Sequence, residues 1–84
     1  MPEITKEIIE SFAVLSINSK SWTKEFNLVS WNGREARFDI REWALDKTRS
    51  GKGITLNGEE LLALAESLKN IDIEKYQTDK EADE

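Results

Sequence analysis

Two segments of alternating polarity flank a turn signal near the middle of the chain. In residues 22–30 and again in residues 35–43, large apolar side chains recur at every second position. A period of two is typical of strands that bury one face. Asn32-Gly33 lies between the segments, and this dipeptide is a strong signal for a tight hairpin turn. The pattern therefore predicts an antiparallel hairpin, which constrains the fold more than any other feature.

The register of this hairpin follows from its side chains, because directly paired residues share a face. A two-residue loop would pair Leu28 with Arg37 and place apolar side chains opposite charged ones. A loop of odd length pairs Leu28 with Ala36 or Phe38 instead. Since a one-residue slip turns every side chain to the other face, we expect the odd loop. The residues expected at an exposed loop tip are then Trp31, Asn32, Gly33 and Arg34.

The two faces of the hairpin differ in character. One set of positions includes Phe26 and Leu28 with Phe38 and Ile40, and we expect this set to face the core. The opposite set is expected to face outward. On the second segment it consists of Glu35, Arg37, Asp39, Arg41 and Trp43.

The flanking segments complete a small α+β domain. Residues 1–18 fit a helix or a strand, and periodicity alone does not decide between them. Ile54-Thr55-Leu56 predicts a short strand, and Asn57 with Glu60 predicts a capped helix start. The apolar stripe of that helix is Leu61, Leu64, Ala65 and Leu68, and Asn70 is its expected stop. We expect one domain over residues 1–76 and a disordered acidic tail over residues 77–84, which lacks apolar side chains.

Composition limits the chemistry. The chain has 84 residues with no cysteine and no histidine, so Ser-His-Asp and Cys-His devices are impossible and thiolate metal sites are excluded. "SGKG" resembles part of a phosphate-binding loop, but Asp46 stands where the motif needs its first glycine, and Gly53 replaces its Ser or Thr. We therefore expect no enzyme activity, no metal and no cofactor. The apolar runs are too short to cross a membrane, and we expect a cytoplasmic protein.

Charge is distributed unevenly. The net charge is −5, yet residues 20–52 carry eight basic and five acidic residues, whereas the remainder carries four basic and twelve acidic ones. The basic segment also contains all three tryptophans. Cations that follow phosphates and aromatic rings that stack on bases are the two devices that hold single-stranded nucleic acid.

Each of these residues also has a structural alternative. Trp22 shares the apolar face and is expected in the core, while Trp43 either covers a sheet edge or stacks on bases. Arg37 and Arg41 either contact phosphates or pair with Asp39 and Glu42.

The residues resemble a known family. "FDIREW", followed by "GKGITL" and a capped helix, is similar to the single-stranded-DNA-binding domain of the transcriptional coactivator positive cofactor four. "WTKEFNLVSWNG" resembles the small bacterial branch of that family. The resemblance covers about residues 6–69. It implies four antiparallel strands followed by one helix, a first strand at about residues 6–16, and a homodimer.

The resemblance also implies contact residues for single-stranded DNA. The family's loop residues match Trp31, Asn32 and Arg34, and its strand arginine matches Arg41. Lys52 precedes the Gly-Ile pair as the family's lysine does, and Lys24 is similar to a basic residue in the family's second strand. Three departures weaken the match. The family's tryptophan lies one residue beyond Trp43, Asn32 replaces a lysine, and the spacing from the loop to the arginine is one residue longer than in the family's eukaryotic pattern. Together with the residue-based candidates, the predicted binding set is Lys24, Trp31, Asn32, Arg34, Arg37, Arg41, Trp43 and Lys52.

We therefore predict a nucleoid-associated homodimer that binds single-stranded DNA with little sequence preference. It would act in transcription, replication or repair, in contact with RNA or the transcription machinery and with no membrane. The alternatives are an RNA-binding protein or a protein-interaction module that uses the same basic and aromatic surface.

Overall fold

The structure, a computed structural model, describes residues 5–76. Four strands form one antiparallel sheet in the order β1-β2-β3-β4, and one helix follows. The elements are β1 (Lys6–Ile17), β2 (Thr23–Trp31), β3 (Arg37–Trp43), β4 (Ser50–Leu56) and α1 (Gly58–Lys69), with a 3-10 turn at Ile73–Tyr76. The predicted α+β class and the strand at the amino terminus are confirmed. The predicted disordered tail, residues 77–84, lies outside the described residues.

The β2–β3 hairpin satisfies both of its sequence signals. Asn32 and Gly33 have positive φ angles of 56° and 73°, and the Arg34 N–H donates to the Trp31 carbonyl at 3.0 Å. The ladder nevertheless pairs Leu28 with Phe38, one residue away from the register of a flush two-residue loop. The register predicted from side-chain faces is therefore confirmed, because the extra residue is absorbed between the turn and β3.

Strand β1 carries three register shifts against β2. They lie between Ile8 and Glu10, between Ser11 and Ala13, and between Val14 and Ser16. Each inserts one residue that has no partner, and such bulges bend a strand and increase its twist. An extra residue at every third position also explains why periodicity alone does not decide between a helix and a strand for this segment.

The sheet is strongly arched. Trp43 pairs with Thr23 at the start of β2, whereas Trp31 ends the same strand. Eight residues of a flat strand span about 27 Å, which is more than two indole side chains can bridge. The Trp31 and Trp43 rings nevertheless stack with centroids 6.4 Å apart and planes 15° apart. The two ends of the sheet therefore approach each other across its concave side.

The arch reverses the expected faces, so that the prediction of a buried apolar face and an exposed charged face is wrong for the single chain. The enclosed side chains of the strands come from the set expected outside: Glu25, Asn27, Val29, Asp39 and Trp43. Phe26, Leu28, Phe38 and Ile40 are half-buried on the convex side. The physical reason is that an arched sheet encloses whatever lies on its concave side.

Helix α1 begins and ends as predicted. The Glu60 N–H donates to the Asn57 side chain at 2.8 Å, and the Asn57 N–H donates back to the Glu60 carboxylate at 2.8 Å. Asn70 is the C-cap. Among the described elements α1 contacts β3 and β4, and its side chains stay at least partly exposed. No helix within residues 5–76 is long and apolar enough to cross a bilayer.

Candidate functional site

Two predicted binding residues line a groove on the convex side. Lys24 pairs with Glu42 on β3, and Lys52 lies on β4, so that β3 runs between the two lysines. The groove encloses about 510 Å³. Its lining residues are Lys24, Ile40, Arg41, Glu42, Lys52, Gly53 and Ile54. Two exposed ammonium groups thus stand over an aliphatic floor, with one carboxylate between them.

Gly53 allows β3 and β4 to approach closely beneath this groove. A Cβ at residue 53 would lie 2.0 Å from the Arg41 Cβ and 2.3 Å from the Ile40 carbonyl oxygen. Those atoms belong to the neighbouring strand and cannot move aside cheaply. The glycine that follows Lys52 is therefore required by the packing of the two strands.

Arg41 lines the groove from β3, but its guanidinium has internal partners. Its Nε donates to both carboxylate oxygens of Asp39, at 2.8 and 3.0 Å. Nη1 donates to the Gly51 carbonyl at 3.2 Å, and the guanidinium carbon lies 4.8 Å from the centroid of the Trp31 ring. The side chain of Arg41 is 18% exposed. Pairing of Arg41 with Asp39, left open by the sequence, is therefore present.

Trp31 is not at an exposed loop tip, and that prediction is wrong. It is the last residue of β2, is half-buried and stacks on Trp43. Trp43 is fully buried, which contradicts its expected place on an exposed outer face. Among the described residues neither indole N–H has a hydrogen-bond partner, so packing holds the pair. The arch causes both corrections, because it folds these strand ends onto each other.

The tip of the β2–β3 loop is tied to the start of β1. The Asn32 side-chain oxygen accepts the Thr5 N–H at 2.9 Å, and the Asn32 N–H donates to the Thr5 carbonyl at 2.8 Å. Asn32 therefore anchors the start of β1 while remaining exposed. Gly33 and Arg34 are exposed.

The eight predicted residues thus occupy three places instead of one face. Lys24 and Lys52 line the groove, which Arg41 also borders. Asn32 and Arg34 form the loop tip. Trp31, Arg37, Arg41 and Trp43 belong by strand alternation to the concave side, where Arg37 is exposed. The structure brings Trp31, Trp43 and Arg41 into contact and leaves Arg34 and Arg37 extended into solvent.

Two lysines that contact residues on the concave side were not among the binding residues predicted from the sequence. Lys6 pairs with Trp31 across the β1–β2 ladder, and its Nζ lies 5.8 Å from the Trp43 ring centroid. The bulges of β1 conceal this register in the sequence. Lys47, in the turn after β3, donates to the buried Glu25. No local signal connects two residues so far apart in the chain.

Comparisons with known proteins identify the family to which this chain is similar. A family model described as Transcriptional Coactivator p15 (PC4) matches residues 18–67, which run from the turn before β2 into the last turn of α1. Strand β1 precedes the matched segment. An uncharacterized protein from Treponema pallidum (strain Nichols) is 37% identical over 70 residues, which cover 83% of this chain and 82% of that protein.

Proposed function

The chain belongs to the family of the transcriptional coactivator p15 (PC4), and from that premise we propose that it binds single-stranded DNA with little sequence preference. The resemblance found in the sequence is thereby confirmed at the level of the family. The proposed setting is the cytoplasm, in association with the nucleoid, during transcription, replication or repair.

The observation that carries the proposal is the convergence of Lys24 and Lys52 on one groove. These lysines come from strands on either side of β3, so the fold and not the sequence neighbourhood brings them together. Two exposed ammonium groups over an aliphatic floor suit a flexible chain of phosphates with unpaired bases. Duplex DNA is a stiffer and wider ligand.

We assign roles according to the exposure of each group. Lys24 and Lys52 contact phosphates in the groove, and Arg34 and Arg37 contact phosphates beside it. The exposed part of the Trp31 ring stacks on a base, and Trp43 supports that ring from beneath. The Asn32 NH₂ group hydrogen-bonds to the strand. The Arg41 backbone borders the groove, while its guanidinium lies on the concave side against Asp39 and Trp31.

The proposal includes a homodimer. Apolar side chains on β1 and α1 that do not line the groove remain exposed in the single chain: Phe12, Leu64 and Leu68. A chain of this size buries a small core and gains stability by covering such a surface with a second copy.

A titration at several salt concentrations tests the proposed function. Labelled dT oligomers should bind, and log K should fall with log salt at a slope of about −0.7 per neutralised phosphate. Lys52→Ala should flatten that slope by one such increment. Lys69→Ala, on the exposed helix, is the matched control and should not.

Other outcomes favour the alternatives. Tighter binding of rU than of dT oligomers would favour an RNA-binding protein. An absence of nucleic-acid binding, or an affinity independent of salt, would favour a protein-interaction module.

A further inference from the structure

We propose that Asp39 is a positioning residue for nucleic-acid binding, because it holds the Arg41 guanidinium against the Trp31 ring. This inference rests on the proposed function, since it concerns the same ligand. It assigns a role to a buried acidic residue that does not line the groove and that is not among the predicted binding residues.

The Asp39 carboxylate is completely enclosed on the concave side of the sheet. One of its oxygens accepts two hydrogen bonds, from Arg41 Nε at 3.0 Å and from the Thr55 hydroxyl at 3.1 Å. The other accepts from Arg41 Nε at 2.8 Å. A buried carboxylate is tolerated only when it is paired and hydrogen-bonded, and these contacts meet that need.

The same contacts fix the position of the Arg41 guanidinium. With Nε held by Asp39 and Nη1 held by the Gly51 carbonyl, the guanidinium has little rotational freedom. That orientation places it 4.8 Å from the Trp31 ring centroid, within the range of a cation–π contact. A chain of contacts therefore runs from Asp39 through Arg41 to Trp31, the residue that precedes the loop tip.

Electrostatic considerations indicate that the Asp39 carboxylate serves to position Arg41 and not to supply a negative charge. A negative group beside a surface that binds a polyanion lowers the local potential and opposes binding. A buried ion pair is also weak support for a claim of stability, since apolar residues of similar volume often serve as well. The Asp39–Arg41 pair favours binding if the ordering of the Arg41 and Trp31 side chains outweighs this electrostatic cost.

Asp39→Asn tests the inference because the two explanations predict opposite signs. If Asp39 acted as a charge alone, the variant would bind dT oligomers at least as tightly as the wild type. Positioning instead predicts binding about 3- to 10-fold weaker, the range expected from loss of a partly desolvated cation–π contact. The salt slope should be unchanged, because Asp39 contacts no phosphate.

Arg41→Lys provides the second arm, since lysine keeps the charge but loses the planar fork. We expect it to weaken binding as Asp39→Asn does, and the double variant to be no weaker than Arg41→Lys alone. Such non-additivity is the signature of one residue acting through another. Thr55→Val removes the hydrogen bond to Asp39 and the long one that the Thr55 hydroxyl accepts from Arg41 Nη2 at 3.5 Å, and it should show a smaller loss of the same kind.

A readout without ligand completes the test. The Trp31 indole N–H resonance, assigned by its absence in Trp31→Phe, should shift in each of these variants. If Asp39→Asn does not fold, Arg41→Lys and Thr55→Val decide the question. Folded variants that bind like the wild type, or effects that simply add, would overturn the inference. A wild-type protein that does not bind dT oligomers would instead overturn the proposed function.

Discussion

Glu25 places a carboxylate in a nearly closed part of the sheet, 3% exposed. It accepts hydrogen bonds from the Thr23 hydroxyl at 2.5 Å, from the Asn27 amide at 3.0 Å and from the Lys47 ammonium. Burial raises the pKa of Glu25, but the hydrogen bonds from Lys47, Thr23 and Asn27 outweigh it and hold the pKa below its ordinary value of 4.5. At the residue scale, this contact fastens the turn after β3 to β2.

The lowered pKa gives Glu25 a defined effect on stability. Because the folded state favours the ionised carboxylate, its contribution is present above pH 4.5 and is lost as pH falls through the folded pKa. Lys47→Met should lower the free energy of unfolding by about 1–2 kcal/mol at pH 7. This difference from the wild type should shrink near pH 3.

Urea unfolding at both pH values, at one protein concentration, measures this effect. Lys69→Met is the control, because Lys69 and Glu66 form an exposed pair at 3.7 Å and such pairs contribute little. An equal loss at pH 3 and pH 7 would contradict the assigned contact.

Trp31 should affect stability and binding together. Its ring is half-buried and contacts both Arg41 and Trp43, so Trp31→Ala should lower the free energy of unfolding by about 2–3 kcal/mol, less than for a fully buried ring. Binding of dT oligomers should weaken by a further 1–3 kcal/mol or so. Trp31→Phe keeps an aromatic ring and should retain most of the stability and most of the binding affinity. An unchanged melting temperature in Trp31→Ala would contradict this burial and would support the exposed loop tip that the sequence predicts.

At the scale of elements, β3 and β4 determine the shape of the site. Their ladder shifts register between Arg41 and Trp43, and Gly53 lies where the strands are closest. Bulges and glycines are the usual means by which a sheet bends. The distance between the groove residues Lys24 and Lys52 therefore depends on the spacing of these strands.

Gly53→Ala should force β3 and β4 apart. The added methyl group would meet strand atoms at 2.0 and 2.3 Å, and overpacking of this kind destabilises by about 1–3 kcal/mol or more. Gly58→Ala is a matched control, because a Cβ at that position meets nothing within 4 Å. It should be neutral or slightly stabilising, since alanine restricts the unfolded chain. Chemical denaturation of both variants measures the difference, and equal stabilities would contradict the close approach.

At the scale of the whole molecule, the single chain does not enclose all of its large apolar side chains in a core. Its fully enclosed strand residues are largely polar, whereas Phe12, Leu64 and Leu68 are 39–47% exposed. The Phe12 ring lies 4.9 Å from Phe26 and 6.0 Å from Phe38, so these aromatic side chains form one open cluster. Covering that cluster with a second copy is the expected source of much of the stability.

Leu64→Asp should therefore dissociate or unfold the protein, because it would bury an unpaired charge in the proposed interface. Leu62→Asp is the control on the same helix, since Leu62 is 72% exposed and lies outside the apolar stripe. It should remain dimeric. Sedimentation equilibrium at micromolar concentration distinguishes these outcomes. A folded wild-type monomer throughout that range would contradict the homodimer.

The sequence by itself determined the features that depend on near neighbours. Side-chain alternation predicts an odd loop, with Ala36 or Phe38 as the partner of Leu28, because a slip of one residue would place apolar side chains opposite charged ones. The observed partner is Phe38. The capping of α1 by Asn57 and Glu60 follows from backbone groups that need partners within one turn. The binding candidates Lys24 and Lys52 were also identified from the sequence, through the family resemblance and not through their positions in space.

Only the tertiary structure decided which side of the sheet is enclosed. Alternation separates two faces but does not say which one is concave, and the curvature comes from single-residue bulges that leave no period in the sequence. The arch brings together the ends of strands, so that Trp31 meets Trp43 and Lys6 approaches the Trp43 ring. The β2–β3 ladder places Lys47, in the turn after β3, near Glu25. Trp43 is buried for this reason: its neighbours are distant along the strands and become close only when the sheet bends.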